Sequence, residues 1–434
     1  MPNIVDRFNV GGEDYYIEPP MDEVPIQGSH NAVQSGGVYD AIAAIVASPT
    51  PVEGGTLSFS TGGAYNYLSE LQKALGITRV AVHSDSKVFN GLAAAHDRVF
   101  TCVRPDDTKV DLYFSESYGY SFRRQYSANI PKGTVTGAIY FGGAYIISFA
   151  NEADITTSVK GLYRVTAGGS SYGVLPGGLN YANTRVFHIA ANDTIAVATT
   201  INGIMWSEDG INWNLSNIGS ANMHGNGAPP LYAGGVWVCS SYGSIYISQN
   251  GKNWTEYPAV LGNTAYNVYD ISYAHDLWYC VGYQGIVYWS EDAIHWTNTG
   301  TTAYSDSDYA RNSVAVYCNG KYMLRNGMIS DNGKTEWVSS GVPVNNAVKH
   351  IVKNKYGLVA CVNSYFVAWS KDCLTWEVSG SDLLYNTSQA AVNNTVGLLD
   401  NGDVATLMNY NGTVKFGYLC ITKSPILPDI PAQA

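Results

Sequence analysis

Glu208 and Asp209 stand side by side in SEDGINW (207–213), next to a glycine and a tryptophan, and two acids so placed could act as acid and base on a substrate. The stretch recurs, however. Residues 248–254 read SQNGKNW, 290–296 SEDAIHW, 330–337 SDNGKTEW and 370–376 SKDCLTW, with opening serines about 40 residues apart. A catalytic group is needed once, whereas a structural group is needed once per repeat, and this period marks a repeat architecture. The recurring positions are Ser207, Asp209 and Trp213; Ser248, Asn250 and Trp254; Ser290, Asp292 and Trp296; Ser330, Asn332 and Trp337; and Ser370, Asp372 and Trp376. Between copies Asp209 becomes Asn250, and Gly210 becomes Ala293 or Cys373. A turn survives such drift and a general acid does not.

The elements that must position these residues are short strands. Around Trp296, the stretches 266–273, 277–283, 285–290 and the segment from His295 onward each read as a strand, rich in β-branched and aromatic residues. Where a third strand turns back into a fourth, backbone N–H groups need partners. An Asp or Asn side chain accepts from them, and a serine hydroxyl can do the same. Glycine permits positive φ, and the aromatic ring folds under the turn. Weaker copies place Thr166 and Tyr172, Ser115 and Phe122, and Asn409 and Phe416 in the serine and tryptophan roles. Eight candidate units thus run from about Phe89 to Thr422. The expected fold is all-β: a seven- or eight-bladed β-propeller, with eight the preferred count. The expected division is an N-terminal module (1–50), a linker with a short helix at 64–75 (51–87), the propeller (88–423) and a tail (424–434).

Composition narrows the partners. A net charge of −11 argues against a nucleic-acid backbone, and Arg123-Arg124 is the one compact basic pair. Seven cysteines without a CxxC pair indicate neither a zinc cluster nor a disulfide framework. Cys102, Cys239, Cys280 and Cys361 lie in apolar runs and are expected to be buried, reduced thiols. No secretion signal is read at the start, and the longest strongly apolar stretch, 41–47, is too short to span a bilayer. The expectation is a protein assembled in the cytosol, without membrane insertion.

The repeated stretch resembles the Asp-box of sialidases and many other propellers, commonly S-x-D-x-G-x-x-W. SEDGINW and SEDAIHW are one residue tighter, and SDNGKTEW approaches the fully spaced form. That resemblance raises a glycosidase, yet the Arg-Ile-Pro stretch that carries the first sialidase arginine does not occur. Arg98, Arg185 and Arg311 lie near first or second strands, and Glu291, Glu336 and Glu377 lie within or beside the repeated turns. SDSDY (305–309) and PDD (105–107) offer carboxylates for a calcium ion, but solvated loops are the simpler account. The eight histidines form no HExxH or HxH pattern, and GxGxxG and Walker-type loops do not occur. No catalytic residue, metal or cofactor is therefore assigned.

Binding is expected instead on the propeller face that carries the inter-blade connections, the longer set of loops. These contain Asn222, His224, Tyr257, Tyr266, Tyr304, Asp306, Tyr309 and Arg311. Tyrosine offers flat contact area with a polar tip, which suits glycans and protein surfaces.

The first 50 residues carry the most specific text, VPIQGSHNAVQSGGVYDAIAAI. Gly28, Ser29, Asn31, Ala32, Val33, Ser35, Gly36, Gly37, Val38, Tyr39, Asp40 and Ala41 match a GS-x-NAV-x-SGGVYDAL module, and Ile42 replaces its leucine. This closely resembles a module near the start of tail fibre and receptor-binding proteins of gut bacteriophages. A helix from about Gly37 to Ala47 is too short to stand alone, and Val38, Ile42 and Ile45 or Val46 form one apolar stripe needing a partner. The resemblance implies oligomerisation, with a homotrimer favoured; a helix docked on its own chain is the alternative. It also implies a virion tail component, attached to other tail or baseplate proteins through this module. The propeller would then bind a host-surface glycan or protein, or a neighbouring tail protein. A tail-borne glycan hydrolase and a purely architectural connector are the alternatives.

Overall fold

The computed structural model describes residues 7–10, 13–16, 21–22, 32–33, 78–84, 89–106, 109–115, 122–126, 134–150, 161–166, 169–172, 174–175, 179, 185–219, 223, 225, 227–262, 267–302, 313–343, 350–354, 356–362, 367–379, 390–411, 415–422 and 424. The chain divides into two units, 1–75 and 76–434. In the first, Arg7–Val10 pairs antiparallel with Glu13–Tyr16, and Met21–Asp22 pairs parallel with Ala32–Val33. The expected helices at 37–47 and 64–75, with Val38, Ile42, Ile45 and Val46, lie outside the described residues. No helix among the described residues is long and apolar enough to cross a membrane.

The second unit is a β-propeller of eight four-stranded antiparallel sheets. Blades 1 to 7 span 89–126, 134–172, 186–219, 231–257, 270–302, 315–339 and 350–379, each with its strands in chain order. Blade 8 is assembled from both ends. Ala390–Leu398, Val404–Asn411 and Lys415–Thr422 provide three strands, and Thr78–Ser84 adds the fourth, with Thr422 opposite Thr78 and Gly417 opposite Ser84. The first strand of each blade touches that of the next, and blade 8 touches blade 1, so the ring closes with first strands at the axis.

Two expectations are corrected by this pairing. Residues 78–84, read as linker, are an integral strand of the ring. Asn409 and Phe416 flank the turn between second and third strands of blade 8, not a third-to-fourth turn, because the fourth strand comes from elsewhere in the chain. Thr166, like Ser115 and Phe122, does border a third-to-fourth turn, whereas Tyr172 lies at the far end of the fourth strand, opposite Tyr163.

Burial explains the composition of the strands. Second strands such as Ala196–Thr200 and Leu277–Val281 are buried at every residue, since a neighbouring blade covers each face. The fourth strand Asn214–Gly219 is exposed or half-buried throughout, at the rim. Clusters between blades bury Cys102, Cys239, Cys280 and Cys361 as reduced thiols, as expected. Buried polar side chains stitch first strands together where no sheet hydrogen bonds cross. The Ala315 N–H donates to the Ser272 hydroxyl (2.8 Å), the Ser313 hydroxyl donates to Ile351 O (2.9 Å), and the Ile351 N–H returns to it (2.7 Å).

All five repeated turns join third to fourth strands, and they share one network. In the first, the Ser207 hydroxyl donates to Asp209 Oδ1 (3.0 Å) and accepts the Gly210 N–H (2.9 Å). Asp209 Oδ1 then accepts the N–H groups of Ile211 and Asn212, both at 2.7 Å. Asn250 does the same for Lys252 and Asn253, Asp292 for Ile294 and His295, Asn332 for Lys334 and Thr335, and Asp372 for Leu374 and Thr375. The fourth residue of every copy is left-handed, including Ala293 (φ 61°) and Cys373 (φ 60°) as well as Gly210 (φ 70°). Trp254 and Trp296 close their own turns, each indole N–H donating to the carbonyl of that fourth residue at 3.0 Å. The extra residue of SDNGKTEW is absorbed by a second left-handed residue, Glu336 (φ 59°). Glu208 has a different role: it faces outward and pairs with Lys252 of the next blade at 2.5 Å.

Two outcomes follow from this architecture. A chain beginning at Gly76 should unfold in one cooperative thermal transition, whereas one beginning after Ser84 should lose that transition and aggregate, because blade 8 then exposes an open edge. Within the turns, Asp209→Ala should lower stability in urea titration by about 1–2 kcal/mol, against about 0.5 kcal/mol or less for Glu208→Ala. Partial desolvation acts upward on the Asp209 carboxyl, but the N–H groups of Asn212 and Ile211, with the Asn212 amide and Ser207, outweigh it and hold the carboxyl at about 2. The Asp372 carboxyl is likewise held at about 2, first by the Thr375 N–H. Both values lie below the unfolded value of about 3.9, so this stabilisation is present above about pH 4 and is lost as pH falls through 2.

Candidate functional site

Strand direction fixes two faces. First-to-second and third-to-fourth turns lie on one face, here the turn face; second-to-third turns and inter-blade connections lie on the other, the loop face. Of the eight residues expected to bind on the loop face, Tyr257 is described; it ends the fourth strand of blade 4, half-buried, opposite Ile245. Asn222, His224, Tyr266, Tyr304, Asp306, Tyr309 and Arg311 lie outside the described residues. The loop face also presents two tyrosines that pattern reading passed over. Tyr242 (50% exposed) and Tyr283 (41% exposed) occupy the second-to-third turns of the neighbouring blades 4 and 5.

The three arginines weighed as a carboxylate clamp are not brought together. Arg98 opens the second strand of blade 1 on the turn face, while Arg185 precedes the first strand of blade 3 on the loop face. Arg311 is outside the described residues. Glu291 is occupied by Lys334 of the next blade at 2.5 Å.

A cavity of about 330 Å³ opens on the turn face, lined by Ala95, His96, Ala138, Ile139, Tyr140, Ala191 and Asp400. These residues come from the first strands of blades 1, 2 and 3 and the first turn of blade 8, so the cavity lies at the axis end of four consecutive blades. Small side chains at Ala95, Ala138 and Ala191 leave the space. Its polar wall crosses three blades. His96 is the left-handed first residue of a two-residue turn (φ 53°), a geometry that matches the twist of a tight hairpin. Its ring stacks on Tyr140 of blade 2, centroids 5.3 Å apart at 28°. Its Nδ1 pairs with the Asp400 carboxylate of blade 8, and the Asp400 N–H donates to His96 O at 3.0 Å. Tyr140 stands directly opposite Tyr145, rings 4.8 Å apart, and is 49% exposed.

Behind this wall, the Arg98 guanidinium lies 4.5 Å from the Tyr145 ring centre, and the Tyr145 hydroxyl donates to Asp97. Burial, reinforced by the Asp97 hydrogen bond and charge, pushes the Tyr145 phenol well above its usual range. Tyr145 is therefore a neutral donor at ordinary pH, and it packs against Tyr140 at a tilt. Nothing here converges as an acid and a base: the carboxylate of the lining is Asp400, and it is engaged by His96. The arrangement sets a half-exposed tyrosine beside an imidazole and a carboxylate, groups that suit recognition of a polar ligand.

The motif has a second copy. Ala274-His275-Asp276 repeats Ala95-His96-Asp97, and His275 stacks on Tyr317 of the following blade at 4.3 Å and 7°. Tyr232 opposite Trp237, Tyr273 opposite Trp278 and Tyr317 opposite Tyr322 repeat the Tyr140–Tyr145 pair. The signal was in the sequence, as a tyrosine five residues before an aromatic, with Ala-His-Asp upstream in two cases.

No protein-family model matches the chain, and no curated protein matches it. Among solved structures it is similar to YCF48 from Cyanidioschyzon merolae, at 12% identity, 80% of this chain and 98% of that one covered, and a TM-score of 0.44. It is similar also to Sqt1 of Saccharomyces cerevisiae (9% identity, 79% and 98% covered, TM-score 0.48). A third is the WD40 propeller domain of Doa1 (10% identity, 80% and 97% covered, TM-score 0.41). The propeller assignment rests on the strand pairing of this chain itself.

Proposed function

We propose that this chain is an interaction protein of a bacteriophage tail whose propeller binds a glycan of the host surface at the mouth of its axis. The observation that carries the binding reading is the turn-face cavity, where exposed Tyr140 stands beside His96 and Asp400. A sugar ring offers C–H groups to an aromatic face and hydroxyls to a carboxylate and an imidazole, and a cavity near 330 Å³ is in the size range of small-ligand sites. Attachment to the tail and trimeric association are supported by the likeness of residues 28–42 to the tail-fibre module. Binding is favoured over hydrolysis because the lining carboxylate, Asp400, is engaged by His96 instead of facing a second acid across a gap of about 5–10 Å.

The test compares the full chain with Tyr140→Ala on host cells and on their purified surface glycans. Tyr140 is half exposed, so the variant should fold, and its affinity should fall about 10-fold or more. Undiminished binding by the variant would move the site to the loop face around Tyr242 and Tyr283. Shortened glycan products would replace binding with hydrolysis.

A further inference from the structure

Cys318 ends the first strand of blade 6, and Cys373 is the left-handed fourth residue of the repeated turn in blade 7. In three other copies that residue is glycine, and the geometry at Gly210 shows where a side chain would go. A Cβ on Gly210 would lie 3.3 Å from the Phe141 ring, and Phe141 ends the first strand of blade 2 as Cys318 ends that of blade 6. In that copy position 373 corresponds to Gly210 and position 318 to Phe141, and here both are cysteines. The two share one buried cluster, and the Cys318 S–H donates to the carbonyl of Lys371, two residues before Cys373 in the same turn.

Blade 7 holds Cys318 in place from two more directions. Its sulfur is 2.8 Å from Lys371 O and 3.3 Å from Gly357 O. Lys353 donates its Nζ to Tyr317 O at 2.7 Å, which brings an ammonium beside Cys318. The neighbouring Cys373 thiol, and then the Lys353 charge, draw the Cys318 thiol below its ordinary value against the effect of burial, while the Cys318 sulfur and burial push Cys373 up. Cys239, Cys280 and Cys361 are raised, with burial the leading cause in each.

We propose that Cys318 and Cys373 are a reactive dithiol that a small-molecule disulfide converts into a covalent link between blades 6 and 7. The Cys318 thiolate attacks one sulfur of the oxidant, whose S–S bond breaks and releases one thiolate. The Cys373 thiol, losing its proton to that leaving thiolate, then attacks the Cys318 sulfur of the mixed disulfide and displaces the second thiolate, which takes up the proton first lost from Cys318. The protein gives up two electrons and two protons, and the oxidant leaves as two thiols. Cys318 is 3% exposed, so a small oxidant suits the site better than a protein one.

The experiment exposes the folded full chain to oxidised glutathione, blocks free thiols by alkylation and maps the cysteines by mass spectrometry. The expected product lacks two hydrogens, carries a 318–373 linked peptide, and melts at a higher temperature until reduced. Cys373→Gly restores the residue found in three other copies, so it should fold; it should yield no link, no reduction-dependent melting shift and, at most, a glutathione adduct on Cys318. Two free thiols after prolonged exposure would overturn the proposal. So would a link from Cys361 instead of Cys318, or separate adducts on both cysteines.

Discussion

Every blade needs two neighbours. A four-stranded sheet here has apolar side chains on both faces, as the fully buried second strands show, and neither face can be left to water. Closure of the ring is thus the constraint on which the remaining structure depends. It is met by one antiparallel pairing between Thr78–Ser84 and Lys415–Thr422, distant in sequence and adjacent in space. Until that pairing forms, two blades keep an uncovered face. The cavity depends on it too, because Asp400 belongs to blade 8 and His96 to blade 1.

The turns solve a narrower problem with the same economy of means. Each one must end a hairpin without a helix or a further strand to take up its N–H groups. One serine and one Asp or Asn do this in all five copies, and the identity of the remaining residues is then nearly free. That freedom accounts for the variety between copies, from glycine to alanine to cysteine at the left-handed position. It also separates the two acids of SEDGINW: Asp209 is bound to backbone, while Glu208 reaches a lysine of the next blade.

The repeat, its four-strand unit and the role of its acids were legible in the sequence, because period and pattern report directly on hydrogen-bonding need. The closing strand was not. Its partner lies more than 300 residues away, and TRVAVHS carries no local mark of belonging to blade 8. The cavity escaped for a related reason. His96, Tyr140 and Asp400 are adjacent only because first strands from different blades meet at the axis, and linear spacing cannot express that. What spacing does express, the tyrosine and its aromatic partner five residues on, follows from hairpin register, but it does not say which blades meet. The expected loop-face residues, apart from Tyr257, belong to long connections whose conformation no periodicity constrains.

The closing pair also sets how this domain responds to force. Thr78 and Thr422 face each other at the same end of an antiparallel ladder, so a pull entering upstream of one and leaving downstream of the other loads the outermost hydrogen bonds first. Such a ladder opens like a zipper, one rung at a time, instead of resisting in shear with all rungs together. The ring is therefore weak against tension applied across its own seam, and a load shared between two blades away from that seam would leave the closing ladder untouched.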